Sequence, residues 1–356
     1  MRKLGRWLGF LVSVGLIVLL LHKVGNLHAV FTALTHVDYR WVVIGALLYL
    51  VSFVPRALRW QRLLRGVGHV RLRSLGESLA VGFMANNALP LRLGELVRAY
   101  IIGRKERVPA TAAFATIVVE RVCDGFTLVC ALAVVSLYYP FPSWIKRLGV
   151  LVALFFCCVL LVLALLVYQR KLTERLFRAI VRMLPAQVGE RLQRLREEID
   201  QGLHLLRSPG DALIVAFLSL IVWALELLVY TRVLAAFTQQ ITVQLGHAVP
   251  IHDILLLLIV INFGIMIPSA PGYIGPFQAA AIAVLAGVAG LSQPVAFSIS
   301  WVLWATLVLP IVVIGFVILS VEQISLGKLA LQAQDERIGV TEALPSTVEP
   351  HPPPAE

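Results

Sequence analysis

The sequence predicts an all-α integral membrane protein: six full transmembrane helices plus two oppositely oriented re-entrant helical hairpins, related as an inverted repeat. Three observations predict it. Hydrophobic residues make up 59% of the chain and charged residues only 14%, whereas a soluble domain holds about 25% charged residues to cover its exterior. The basic residues flank apolar runs, as membrane topology requires. Two further apolar runs are too short to cross a bilayer and end at proline.

A helix rises about 1.5 Å per residue, so a hydrocarbon core of about 30 Å takes roughly 20 apolar residues. Trp7 to Leu21 and Trp41 to Val54 fall short. Interfacial Trp7 and Trp41, with snorkelling Arg56 and Arg59, extend both to full spans. Met1-Arg2-Lys3 imitates a signal peptide, but no small-residue cleavage site follows Leu21, so this first span is expected to be retained. Ala110 to Tyr139, Leu148 to Tyr168, Ala212 to Phe237 and Val295 to Val321 are clear crossings.

Leu75 to Leu89 reaches only about 22 Å and ends at Pro90, and Ile254 to Ile267 reaches about 21 Å and ends at Pro268. Second arms follow, Gly94 to Gly103 and Phe277 to Gly290. Unpaired backbone groups cannot face lipid, so broken helices need a cover of protein or a water-filled cavity. The positive-inside rule places Arg2, Lys3 and Arg6, the arginines from Arg56 to Arg73, and the basic stretch Arg170 to Arg207 in the cytoplasm. Thr238 to Pro250, without Lys or Arg, falls outside, and both termini fall in the cytoplasm. The first hairpin then enters from the cytoplasm and the second from outside. Their sequences are weakly alike: Phe83, Asn86, Asn87, Pro90 and Gly94, then Pro109 and Phe114, against Asn262, Phe263, Pro268, Gly272 and Gly275, then Pro294 and Phe297. Paired, oppositely inserted, broken segments point to a binding site at the bilayer midplane. Two unrelated proline-ended helices are the bland alternative.

The membrane domain is expected over residues 1–330, including a cytoplasmic amphipathic helical segment at 170–208 with Leu192, Leu195, Ile199 and Leu203 at helical spacing. Residues 331–356 form a cytoplasmic tail too polar to pack, expected to be disordered. Cys123, Cys130, Cys157 and Cys158 lie in apolar runs and are read as packing hydrophobes. Nothing in their spacing suggests a metal centre or a disulfide framework, and no cofactor is implied. No basic patch is interleaved with aromatics, which argues against nucleic acid.

Charges inside the spans carry the functional argument. Glu120 lies ten residues into the helix from Ala110, about 15 Å deep, with Arg121 and Asp124 beside it. Each such charge costs roughly 2.5–3.5 kcal/mol at a helix centre, so the three require pairing, protonation or water. Glu120 and Asp124 share a face, and Arg121 can pair with Asp124. Arg92, Glu95 and Arg98 recur every three residues on the returning arm. The two groups can neutralise each other as a polar lock. Alternatively the arginine forks of Arg92 and Arg98 receive an anionic lipid head group. Glu226, Asn86, Asn87 and Asn262 are further candidates, although a single acid such as Glu226 is compatible with a protonated, hydrogen-bonded state. In the second break, Pro268, Pro271, Gly272 and Gly275 suit an unwound hinge, as Pro90 and Gly94 do in the first, and Gln278 adds a donor.

The order Asn86-x-x-Leu89-Pro90-x-Arg92-x-Gly94-Glu95-x-x-Arg98, followed by Glu120-Arg121-x-x-Asp124, resembles the membrane domain of lysylphosphatidylglycerol synthases and their stand-alone flippase-like relatives. Arg59-Trp60-x-x-Leu63-Leu64 and Pro268-Ser-x-Pro271-Gly272-x-x-Gly275 fit the same pattern, and the likeness runs from Trp7 to Val321. It implies a membrane domain that binds or translocates lipid. Two departures stand out. The full synthases append a soluble aminoacyl-transfer domain that the residues after Val321 cannot contain, so the chain is not expected to be an enzyme. Gln278 stands where relatives often carry an acid.

The expected function is therefore flippase-like, in a polar midplane cavity of a multi-pass protein of the inner (plasma) membrane. Membrane lipids are the expected partners, with a cell-envelope enzyme as a further one. No Gly-x-x-x-x-Gly-Lys-Ser/Thr loop occurs, so movement would be passive or ion-coupled. The rival classes are a membrane-embedded transferase on a polyprenyl-phosphate or phospholipid, and a non-transporting subunit of an envelope enzyme.

Overall fold

A computed structural model describes residues 13–22, 24–25, 27–89, 93–168, 193, 197, 200, 202, 208–266 and 270–322. Trp7, Pro90, Arg92, Pro268, most of the expected cytoplasmic segment and the tail from residue 331 lie outside them. Helices follow one another as α1 (Ser13–His22), α2 (Leu27–Thr35), α3 (Tyr39–Val51), α4 (Phe53–Leu63), α5 (Leu72–Ala88), α6 (Gly94–Glu106) and α7 (Ala110–Tyr138). They continue as α8 (Ser143–Tyr168), α9 (Pro209–Ala235), α10 (Thr238–Leu245), α11 (Ile251–Gly264), α12 (Pro276–Leu285) and α13 (Gln293–Val321). No strand occurs among the described residues.

Four described helices are long and apolar enough to cross a membrane: Tyr39–Gly66, Ser143–Val162, Gly210–Ala235 and Gln293–Val321. The chain is an all-α membrane protein. α7 matches α13 in length at 29 residues but carries Glu120, Arg121 and Asp124. The short span expected to end at Val54 instead runs on through α4 to Gly66, bending at Ser52. Pro55 has no N–H for the Val51 carbonyl, which accounts for a bend without a stop. The consequence is that Arg56 and Arg59 do not snorkel to an interface. They sit inside the helix packing with their side chains almost wholly buried. Thr238 to Pro250, which the sequence places outside, contains the two-turn helix α10, closed by Gly246 in the left-handed region at φ 74°.

The two proline-broken segments form the helix pairs α5/α6 and α11/α12, each packed side by side. α5 also lies along α13, and α6 along α7. The one-turn helix Pro271–Tyr273, at the tip of the second pair, packs against α5. The Trp304 indole on α13 donates to the Gly272 carbonyl at 2.7 Å, tying that tip to the long helix. Gly272 (φ 74°) and Gly275 (φ 101°) hold left-handed backbone there, a region that favours glycine.

Two main apolar clusters result. One joins α9, α11, α12 and α13 through residues such as Val229, Leu257, Ala281 and Leu303. The other joins α4 to α7 through Leu63, Leu79, Ile102 and Ile117. Phe53 and Phe83, whose rings meet edge to face with centroids 5.2 Å apart, pack against both. The cysteines are a correction: Cys123 is half-buried, but Cys130, Cys157 and Cys158 are exposed on helix flanks rather than packed. Among the described residues α8 packs closely on α7 only, with Cys157 and Cys158 exposed.

Candidate functional site: a charged cavity between the broken helices

Where the two clusters meet, a cavity of about 130 Å³ is lined from α3 to α7, from α9, from α11 to α13 and from the Pro271–Tyr273 turn. At roughly 10–15 Å³ per water centre, this is room for on the order of ten waters. Its lining includes Asn86, Asn87, Gly94, Glu95, Arg98, Arg121, Asp124, Glu226 and Asn262, all singled out from the sequence. Lining residues that the sequence did not single out include Arg56, Tyr49 and Trp223. Basic and aromatic residues at the ends or within apolar runs carry no sequence sign of facing inward rather than lipid or an interface.

The charged network behind the cavity is built around Arg59, whose side chain is 0% exposed. One guanidinium nitrogen reaches Asp124 Oδ1 at 2.6 Å and the Ser219 hydroxyl at 3.0 Å. The other reaches Glu120 Oε1 at 2.8 Å and Asp124 Oδ2 at 3.3 Å. Arg98, from α6, closes on the remaining Glu120 oxygen at 2.6 Å. Its guanidinium carbon lies 3.7 Å from the Trp60 ring centre. Arg121 touches Glu120 Oε1 at 3.1 Å and Asp124 Oδ2 at 3.4 Å. Arg56 pairs with Glu226, so that acid is half of a buried ion pair and not a lone carboxyl. The polar lock between the returning arm and α7 is thus a direct Arg98–Glu120 contact. Helix pitch explains the assembly: Arg56 and Arg59 are three apart, as are Arg121 and Asp124, so each pair lies on one face.

Several polar atoms on the cavity wall are buried without a hydrogen-bond partner among the described residues: Nε of Arg56, Arg98 and Arg121, the Trp223 indole nitrogen, and the side-chain oxygens of Asn86 and Asn87. Such atoms are rare in native structures and expensive, so a cluster of them on one cavity indicates groups for water or ligand. Asn87 and Asn262 each donate their amide to the backbone carbonyl one turn back, at 2.9 Å, which holds them in place. Gln278 is used differently. Its oxygen accepts from the Gly275 N–H at 2.8 Å and caps α12, and it is not part of the lining. No group of three or more His, Cys, Asp or Glu suited to a metal occurs among the described residues.

Gly94 sets how close the arms of the first hairpin come. A Cβ there would lie 2.0 Å from the Gly82 carbonyl oxygen and 2.5 Å from the Asn86 nitrogen. At the tip of the second pair, a Cβ on Gly272 would come within 3.8 Å of the Asn87 carbonyl oxygen. The ends of the two broken elements therefore meet beside the cavity.

The family model described as the lysylphosphatidylglycerol synthase TM region matches residues 6–331. The chain belongs to that family. Proteins similar to it include a UPF0104 membrane protein of Methanothermobacter thermautotrophicus, 28% identical over 74% of this chain and 80% of that protein. Another UPF0104 membrane protein, from Pyrococcus horikoshii, is 22% identical over 83% of this chain and 90% of that protein. A shorter likeness, 31% identity over 100 residues, is to the glycosyltransferase AglD of Haloferax volcanii and covers 28% of this chain and 16% of that enzyme. No solved structure matches. Of the motif residues, Asn86, Gly94, Glu95, Arg98, Arg121 and Asp124 form one wall of the cavity, and Glu120 lies in the ion network behind it.

Proposed function

We propose that the chain is a lipid flippase-like protein, binding the head group of an anionic or amphiphilic lipid in the charged cavity and translocating it while the acyl chains stay in the bilayer. One observation carries the reading: six of the twelve buried side-chain donors and acceptors that lack a partner among the described residues lie on a single cavity at the meeting point of two proline-broken helix pairs. Arginine forks suit phosphate oxygens, and asparagine oxygens suit hydroxyl or ammonium donors. In this reading the pairs α5/α6 and α11/α12 are re-entrant hairpins inserted from opposite faces. Tips that meet beside a cavity are what such insertion produces. The spans then number six, the termini are cytoplasmic, and the protein resides in the inner (plasma) membrane. The halves rock to expose the site alternately, as in other inverted-repeat carriers.

The test is translocation by purified protein in liposomes. Arg92→Ala and Glu95→Gln are each expected to abolish lipid movement while the protein stays folded. Transport at the unmodified rate in both variants would remove the site from the mechanism.

A second reading, a membrane subunit that presents lipid to an envelope enzyme without moving it, is favoured by the 100-residue likeness to a glycosyltransferase. Isolated protein that binds lipid but moves none would select it.

A further inference from the structure

We infer that Arg121 is the exchangeable cation of the cavity, the residue that takes the phosphate of a bound lipid, while Arg59 stays as its fixed counter-charge framework. The inference rests on the reading of the cavity as a lipid head-group site, and it assigns different work to arginines that look equivalent in sequence.

The charges divide cleanly. Arg56 and Glu226 cancel as one pair. Arg59 and Arg98 cancel Glu120 and Asp124, and between them they occupy all four carboxylate oxygens. Arg121 is left as the surplus positive charge of this network. Its two contacts, at 3.1 and 3.4 Å, are both longer than the 2.6 Å at which Arg59 holds Asp124 and Arg98 holds Glu120, and both fall on oxygens that Arg59 already serves. Its side chain is 36% exposed, against 0% for Arg59 and 3% for Arg98. Its Nε has no partner among the described residues.

Physical consequences follow from that arrangement. Withdrawing Arg59 would take the principal partner from Asp124 and one of the close partners from Glu120, and breaking buried pairs is among the most expensive events in a protein core. Withdrawing Arg121 strands none, because Glu120 and Asp124 keep their stronger partners. Arg121 can therefore turn its fork to an incoming phosphate at little cost to the network. The network's carboxylates remain neutralised and do not repel the ligand. Glu95, which lines the same cavity from α6, is the remaining acid facing this space.

The experiment measures equilibrium binding of radiolabelled phosphatidylglycerol, and of diacylglycerol with the same chains, to the full chain in non-ionic detergent, with thermal melting in parallel. Unmodified protein is expected to prefer the phospholipid. Arg121→Gln is expected to lose that preference by roughly ten- to a hundredfold, the scale of a charged hydrogen bond, with melting close to the parent. Arg121→Lys should keep part of the preference, and inorganic phosphate at equal concentration should not displace the lipid. Arg121→Gln binding phosphatidylglycerol as the parent does, or unfolding as Arg59→Gln does, would overturn the assignment while leaving the head-group site standing. Parent protein that binds both lipids equally would overturn the assignment and the proposed function together. Displacement by inorganic phosphate would overturn the lipid part and leave a free-anion site.

Discussion

Arg98 lies over Trp60, guanidinium carbon 3.7 Å from the ring centre, while one of its nitrogens holds Glu120 at 2.6 Å. The indole beneath is fully buried and donates its own N–H to Thr116 at 3.0 Å. α4, α6 and α7 are thus clamped through one side chain. A cation on a desolvated indole gains about 2 kcal/mol or more, and the indole N–H bond adds roughly 1 kcal/mol.

Replacing that indole should separate these contributions. Trp60→Phe keeps a ring under Arg98 but loses the bond to Thr116, so a loss of about 1–2 kcal/mol is expected. Trp60→Ala removes the platform and opens a cavity, for about 3–5 kcal/mol. Denaturant melts in detergent test the order. Equal melting for the two variants would show that the ring does not hold the arginine.

Arg59 is the side chain whose loss should be felt most. Arg59→Gln leaves Glu120 with Arg98 and Arg121, and Asp124 with Arg121 alone at 3.4 Å. Breaking a buried pair by removing one partner costs about 3–5 kcal/mol. The double variant Arg59→Met with Asp124→Leu removes the charges together and should recover much of the folded yield, by the same logic. Size-exclusion profiles of the two proteins decide it: a double variant that aggregates as badly as the single one would contradict the ion-pair account.

The burial of Glu120 and Asp124 and their pairing with Arg121 were readable from helix rise and hydropathy alone, because charges in mid-span have few physical options. The contact of Glu120 with Arg98 was readable for the same reason, as one of two ways to satisfy such charges. Arg59 was not. A basic residue just after a short apolar run has the same sequence signature whether it snorkels to the surface or is carried inward by a helix that continues. Here the helix passes Pro55 and runs to Gly66, and that continuation decides the matter. Trp223 and Tyr49 were hidden for a related reason, since an aromatic in an apolar span looks alike facing lipid or cavity. The broken segments were legible from Pro90 and Pro268. That Gln278 caps α12 instead of facing the cavity depends on the backbone of Gly275, which the sequence pattern does not specify.

Glu106, at the end of α6 where the chain turns toward α7, gives a pH dependence outside the spans. Burial pushes its carboxyl up, but hydrogen bonds from Ser74 and Arg71, with the arginine's charge, outweigh that and hold it below the ordinary glutamate value. A carboxyl lowered in the folded state stabilises fully above its unfolded pKa of about 4.3, and that contribution is lost as pH falls through the folded value. Arg71 is largely exposed, so screening keeps the effect small. Glu106→Gln should lower the melting temperature by roughly 1–3 °C at pH 7, and the gap should close below about pH 4. A gap that stays constant over that range would show that the carboxylate's charge does not contribute.

Gly94 tests whether the close contact of the first hairpin's arms shapes the cavity. A methyl group there would collide with backbone, the Gly82 carbonyl and the Asn86 amide, and not with a side chain able to swing away. The arms must separate to admit it. Overpacking of this kind costs about 1–3 kcal/mol. The larger consequence is geometric, because Asn86 and Gly94 both line the cavity and Arg98 follows one turn later. Gly94→Ala should therefore weaken lipid binding more than its loss of stability explains, whereas Gly76→Ala, on the same hairpin with open space around its Cβ, should leave binding unchanged. Binding isotherms at a temperature where both variants are fully folded make the comparison. Parent-like affinity in Gly94→Ala would mean that the arms can part without disturbing the site, and the tight glycine contact would then serve packing alone.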